Sequence, residues 1–323
     1  MAGTAAGPPG PGPGPAELIR AATIARRYYL DGWSKSAIAA EFGISRFKVA
    51  RLLDSARASG LVRIQITVPA GLDAELSAEL GAAYRLTRAV VVTDPDDGED
   101  ALRQGLGQGA ADLLTELVTE GEILGVAWGR TLSAMSARLS GLARCTVVQL
   151  VGVLDSDRMI ESAVEMVRRV AAVSGGPAYP LYAPLLVSDA ATAEMLRREP
   201  AVANSLRRHD QLTTAVVAIG SWDPPNSSLY DALSNVDRQA LRRRGVQAEF
   251  CARLVDAAGR LVRTDLDDRL IAIGADQLAQ VPHVIAVAGG RTKWRAVEAT
   301  LRGGLVDSLV TDAATARYLL GRV

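Results

Sequence analysis

The chain has 323 residues, 49% of them hydrophobic and 22% charged, with 36 basic residues balanced by 36 acidic ones. That length exceeds a single small binding module and allows a second unit with a large core. No uninterrupted apolar run reaches the length that spans a bilayer. Two cysteines and two histidines without ligand spacing argue against a metal site.

Residues 1–15, MAGTAAGPPGPGPGP, lack the basic start and apolar core of a secretory signal. Rich in proline and glycine, they are expected to form a disordered tail. Residues 16–30, AELIRAATIARRYYL, pattern as an amphipathic helix with Leu18, Ile19, Ala22, Ala25 and Tyr29 on one side. Asp31-Gly32 ends it, and Trp33 is expected to plug the gap before the next helix.

The stretch from Lys35 to Leu53, KSAIAAEFGISRFKVARLL, reads as two short helices joined at a glycine. Ala39 is small where the helices approach, and Gly43 stands where the turn needs positive φ. Ile38, Phe42, Ile44, Val49, Leu52 and Leu53 supply the apolar contacts. Ser45 is a good N-cap, so the second helix should run from Arg46 towards Ala58. Its first turns present Arg46, Phe47, Lys48 and Arg51, where a recognition helix meets base edges and phosphates. Together with Lys35 and Ser45 these are the expected DNA-contacting residues. From Ala16 to Arg63 nine basic residues face four acidic ones, so this segment carries +5 in a chain of net charge zero. A basic module on an acidic body is the footprint of a DNA reader. The only cysteines, Cys145 and Cys251, sit in apolar runs and read as buried thiols of a reducing cytoplasm.

After the recognition helix, Ser59-Gly60 stops the chain and LVRIQITVP alternates as a short strand, the wing of a winged helix-turn-helix spanning 16–69. Residues 70–87, with a helix over Asp73–Ala83, read as a connector, with a partner chain as one surface for it to pack against. From Arg88 the pattern changes. Strands are expected at AVVVT (89–93), ILGVAW (123–128), CTVVQLV (145–151), TAVVAIG (214–220), VIAVAGG (284–290) and DSLVT (307–311). Helices are expected over 99–119, 158–173, 190–208 and 292–302. This alternation predicts an open, mostly parallel α/β sheet over 88–323, whose ligands sit at the carboxyl ends of the strands.

Two loops fit that place. Trp128-Gly129-Arg130-Thr131 follows a strand and opens a helix, offering close backbone amides and a hydroxyl to an anion. Gly289-Gly290-Arg291-Thr292-Lys293 repeats the arrangement and carries one of only three lysines in the chain. Together they suggest a phosphate cradle.

With these segments in view, the chain resembles the SorC/DeoR-type sugar-binding transcriptional regulators over nearly all of 16–323. The matching parts are the helix-turn-helix with its GISR turn, LGVAWGRTL, and VAGGRTKWRAVEATLRGGLVDSLVTDAATARYLL. The resemblance implies an effector unit similar to sugar-phosphate isomerases and deaminases, binding a sugar, polyol or sugar phosphate and assembling as a homodimer or homotetramer. Carried over, Gly129, Arg130, Thr131 and Lys293 would hold the phosphate end, beside Gly289 and Gly290. Gln149 and Asp155 in the 149–155 loop, Gly220 in the 220–226 loop, Glu249 and Asp256 would lie around the sugar. Phe47 and Lys48 stand where relatives often carry proline or threonine and a small residue, and Val151 leaves no lysine in the third-strand loop. Double-stranded operator DNA is the implied macromolecular partner, with no cofactor, no metal and no membrane. The alternative is an active isomerase or deaminase with a DNA-binding appendage. It needs a positioned base and acid, and neither His209, within a helical stretch, nor His283, just before a strand, stands at a strand's carboxyl end. No catalytic residue is therefore expected.

Overall fold

The computed structural model describes residues 14–64, 71–94, 98–154 and 163–322. They fall into two compact units divided between residues 67 and 68. The expected tail, apart from Gly14 and Pro15, lies outside the described residues.

The first unit holds α1 (Pro15–Tyr29), α2 (Lys35–Phe42) and α3 (Arg46–Ala58). Ile24, Ala25, Ile38, Ala39, Val49 and Leu53 form its core. The buried stripe of α1 therefore starts later than its sequence pattern suggests, with Leu18 and Ile19 exposed. Trp33 is no plug: it is exposed, with the Arg27 guanidinium 4.7 Å from its ring centroid. Both later helices start on serine caps. Ser34 accepts from the Ala37 N–H at 3.1 Å, and Ser45 from the Lys48 N–H at 3.2 Å. Gly43, at φ 63, closes α2 in the left-handed conformation that a Cβ disfavours, and lets the chain turn directly into α3. Leu61–Ile64 form no strand, and the remainder of the expected wing, residues 65–69, lies outside the described residues.

The second unit begins with α4 (Ala74–Tyr84), followed by β1 (Arg88–Val92), α5 (Glu99–Leu117), β2 (Ile123–Val126), α6 (Arg130–Arg138) and β3 (Thr146–Gln149). Next come α7 (Ala163–Ser174), β4 (Ala178–Tyr179), α8 (Ala190–Arg198), α9 (Pro200–Arg207), β5 (Thr214–Ala218), β6 (Gly220–Trp222) and β7 (Pro225–Asn226). Then follow α10 (Ser228–Ala232), α11 (Asn235–Arg243), β8 (Val246–Phe250), β9 (Arg253–Asp256) and α12 (Ala275–Leu278). The last elements are β10 (His283–Val287), α13 (Trp294–Arg302), β11 (Ser308–Asp312) and α14 (Ala313–Leu319).

Seven strands make one parallel sheet in the order β1-β11-β10-β5-β2-β3-β4. Its strands are near-continuous runs of valine, leucine, isoleucine and alanine because helices cover both faces. The expected connector helix, α4, belongs to this unit. Leu76 and Leu80 are buried in its core, and the Asp73 N–H bonds to Val91 O at 2.8 Å. The helix expected over 190–208 breaks at Glu199, where Pro200, lacking an N–H, starts α9. The start of the helix expected over 158–173 lies outside the described residues, which begin again at Ala163. The run TAVVAIG is not one strand. β5 ends at Ala218, and Gly220 opens a second, antiparallel sheet of order β7-β6-β8-β9.

Candidate functional site

A cavity of about 600 Å³ opens at the carboxyl ends of the parallel strands. Its walls come from Asp94 after β1, Ala127–Thr131 after β2, Val151 after β3, Ala218–Gly220 after β5, Gly289–Lys293 after β10 and Asp312 at the end of β11. The small sheet adds Glu249, Cys251 and Ala252, and the start of α5 adds Glu99, Leu102, Arg103 and Leu106. Such a volume suits a small molecule with a few convergent polar groups.

One part of the cavity wall is the start of α6. Gly129 gives α6 no side-chain cap, so the first amides of that helix are left open. Thr131, in its first turn, is 7% exposed and lines the cavity. Arg130 donates to Asn226 Oδ1 at 2.7 Å, and the Asn226 amide donates to Thr292 Oγ1 at 2.9 Å. This chain ties three separate loops together and fixes the guanidinium at the rim.

The cavity is also lined by an acid and an amine, Glu249 and Lys293. Glu249 accepts from Ser227 Oγ at 2.9 Å and from the Ala252 N–H at 3.2 Å. Burial pushes its carboxyl up from the ordinary glutamate range, against these two bonds and the charge of Lys293. The carboxylate fits because residue 220 is glycine: a Cβ there would collide with it. Lys293 Nζ donates to Ile219 O at 2.7 Å. Burial lowers its pKa to about 8, and Glu249 works in the opposite direction.

The second glycine turn differs from the expected cradle. The Gly290 N–H already bonds to Asp312 Oδ1 at 2.8 Å and Thr315 Oγ1 at 3.2 Å, and a Cβ on Gly289 would collide with the Asp312 carboxylate. The Gly290 N–H is thus spent on tying this turn to the end of β11, while Arg291, Thr292 and Lys293 line the cavity beside it.

Of the residues expected around an effector, Gly129, Arg130, Thr131, Gly220, Glu249, Gly289, Gly290 and Lys293 line this one cavity. Gln149 does not. It is fully buried, donating to Val151 O at 2.7 Å and accepting from the Leu181 N–H at 3.0 Å, so it shapes the loop after β3. Asp256 does not either. It closes the turn after β9, accepting from the Ala258 and Arg260 N–H groups, both at 2.9 Å, and pairing with Arg260. Those bonds hold its carboxyl below the usual range. Asp155 lies outside the described residues. Sequence reasoning missed Asp94, just after β1, and Glu99 and Arg103 at the start of α5. Neither histidine lines the cavity: His209 is buried beside Gln149 O, and His283 starts β10, at the amino end of that interior strand.

In the first unit, Lys35, Ser45, Arg46, Phe47, Lys48 and Arg51 are all exposed. Arg27 consumes Asp31 and Glu41 in ion pairs, leaving Arg46, Lys48 and Arg51 without an ion-pair partner among the described residues. Ser45 spends its hydroxyl on the cap of α3.

Residues 68–321 match the family described as "Putative sugar-binding domain". Transcriptional regulator YjhU of Escherichia coli K12 is 30% identical over 301 residues, covering 91% of this chain and 92% of the relative. Transcriptional regulator LsrR of Klebsiella pneumoniae is 31% identical over 308 residues, covering 94% and 93%. The chain belongs to the SorC/DeoR-type sugar-binding transcriptional regulators. Among solved structures, the full-length sorbitol operon regulator SorC from Klebsiella pneumoniae superposes with a TM-score of 0.71 at 25% identity, covering 94% of this chain and 99% of that one. These matches span both units of the chain. No helix among the described residues is long and apolar enough to cross a membrane.

Proposed function

We propose that this chain is a cytoplasmic, non-catalytic regulator whose affinity for operator DNA is set by a sugar, polyol or sugar phosphate held in the cavity of the α/β unit. The observation that carries this reading is the coexistence of an exposed, unpaired cationic face on α3 with a cavity of about 600 Å³ at the strand ends. The uncapped start of α6, with Arg130 and the Thr131 hydroxyl, is the seat for an anionic end of the effector. Glu249 and Lys293 face it as acceptor and donor for hydroxyl groups and for the outer charge of that anion.

Regulation then works by differential affinity. The effector favours one arrangement of a homodimer or homotetramer, and that arrangement spaces the recognition helices differently. Catalysis is not part of this reading. This rests on the full-length relatives being transcriptional regulators and on no histidine lining the cavity among the described residues.

The test is a double substitution, Arg46→Ala with Lys48→Ala, assayed by fluorescence anisotropy on DNA upstream of the chain's own gene. Specific binding should be lost, at about 1–3 kcal/mol per good base contact, while sugar-induced thermal shifts of the α/β unit remain. Unchanged operator affinity would overturn the assignment of α3 as the reading helix.

A further inference from the structure

α3 buries Val49, Leu53 and Ala56 on one side. At 100° per residue, Phe47 lies roughly 160° around the helix from Val49, so it points away from the core. Arg51 follows one turn later on the same stripe. Phe47 is 69% exposed, an apolar ring in the middle of a face made otherwise of Arg46, Lys48 and Arg51. The Arg46 guanidinium lies 5.0 Å from the ring centroid and holds the ring against the first turn.

Single exposed apolar side chains are ordinary on protein surfaces, but the surroundings of this one decide its partner. Three unpaired cations around the ring repel a second copy of the same face and attract a polyanion. Within a DNA major groove the apolar group on base edges is the C5-methyl of thymine, and phenylalanine is among the side chains that pack on it. The first turn of a recognition helix is the part that reaches base edges.

We propose that Phe47 is a specificity-determining residue that reads a thymine through its C5-methyl group, flanked by Arg46, Lys48 and Arg51 on phosphates and neighbouring base edges. This rests on the DNA-binding reading above and adds to it the base that α3 selects. The ring excludes water from the methyl and offers no hydrogen bond, so it discriminates thymine from cytosine and uracil by apolar contact alone.

The discriminating change is made on the DNA. The full chain is first used to select its preferred site from a random double-stranded library, and each thymine of that site is then replaced in turn by deoxyuridine, which removes only the methyl. Burying one methyl-sized group predicts about fourfold weaker binding at one half-site, and roughly fifteenfold when both halves of a symmetric site are changed. Phe47→Ala should bind the thymine site more weakly than wild type and show no further loss with deoxyuridine at that position. The side chain is exposed and alanine favours helix, so the variant should keep its melting temperature.

Wild-type binding that is indifferent to deoxyuridine at every thymine would overturn the proposal. So would a Phe47→Ala variant that keeps the full deoxyuridine penalty. If the wild-type chain selects no sequence at all, the DNA-binding reading fails first, and the two failures are distinguishable.

Discussion

Lys293→Met is the most informative change in the cavity. Lys293 donates one of its three N–H groups to Ile219 O at 2.7 Å, which leaves two for the cavity. A charge-assisted bond from one of these to an anionic or hydroxyl group of the effector contributes about 1.5–3 kcal/mol. Its loss corresponds to about 10- to 150-fold weaker binding. The same variant leaves the Ile219 carbonyl unpaired, a cost of about 1–3 kcal/mol, while relieving the burial of a charge, so its melting temperature must be read beside its affinity. The sign with pH is fixed by the pKa of about 8. The ammonium is present at pH 7 and lost as pH rises through that value, so affinity for a phosphorylated effector should fall about tenfold by one unit above it. A phosphate, with its second pKa near 6, is already doubly charged over that range. The assay is calorimetric titration, at pH 7 and pH 9, of the tightest ligand from a thermal-shift panel of sugar phosphates. Lys293→Met should be weak at both pH values. Equal affinity in variant and wild type, or a wild-type affinity independent of pH, would remove Lys293 from the effector site.

Other consequences are local. A Cβ on Gly107 would lie 2.8 Å from Ala134 Cβ and Met135 N, where α5 meets α6. Gly107→Ala should therefore destabilise the α/β unit by about 1–3 kcal/mol, read as a lower urea midpoint, and an unchanged midpoint would contradict the close helix contact. His209 is buried, its Nε2 2.9 Å from Gln149 O and its Nδ1 without a partner. Burial lowers its pKa below 6.5, so the unfolded chain takes up a proton that the folded one refuses. Stability should be complete above pH 6.5 and decline as pH falls below it, and His209→Gln should flatten that slope in urea melts at pH 5 to 7. Asn226→Ala should release Arg130 from its 2.7 Å bond and weaken an anionic effector while leaving a neutral polyol unaffected. Equal losses for both would show that the contact shapes the whole rim rather than the anion seat.

The parallel sheet was legible because its strands are buried on both faces and read as apolar runs, and the helix pair α2 and α3 because caps, a turn glycine and core spacing coincide in one short stretch. The antiparallel sheet was not. β6, β7 and β9 are short, and Gly220 looks like the end of β5 until Glu249 is seen to need its missing side chain. Site residues that follow a strand, such as Gly129–Thr131 and Lys293, could be found from the rule about strand ends. Glu99 and Arg103 could not, because nothing in a helix's own sequence says that its start borders a cavity, whereas Asp94, just after β1, falls under the same rule and was passed over. Gln149 and Asp256 show the converse: polar residues in the right loops whose hydrogen bonds are consumed by the fold.

The central claim is that ligand in the cavity alters DNA affinity. The direct measurement is fluorescence anisotropy of the full chain on its selected site, titrated with and without a saturating sugar or sugar phosphate that raises its melting temperature. The account predicts a shift in the dissociation constant for DNA of about 5- to 150-fold, the usual range of coupling between two sites. A ligand that stabilises the protein through the cavity and leaves DNA affinity unchanged would contradict it.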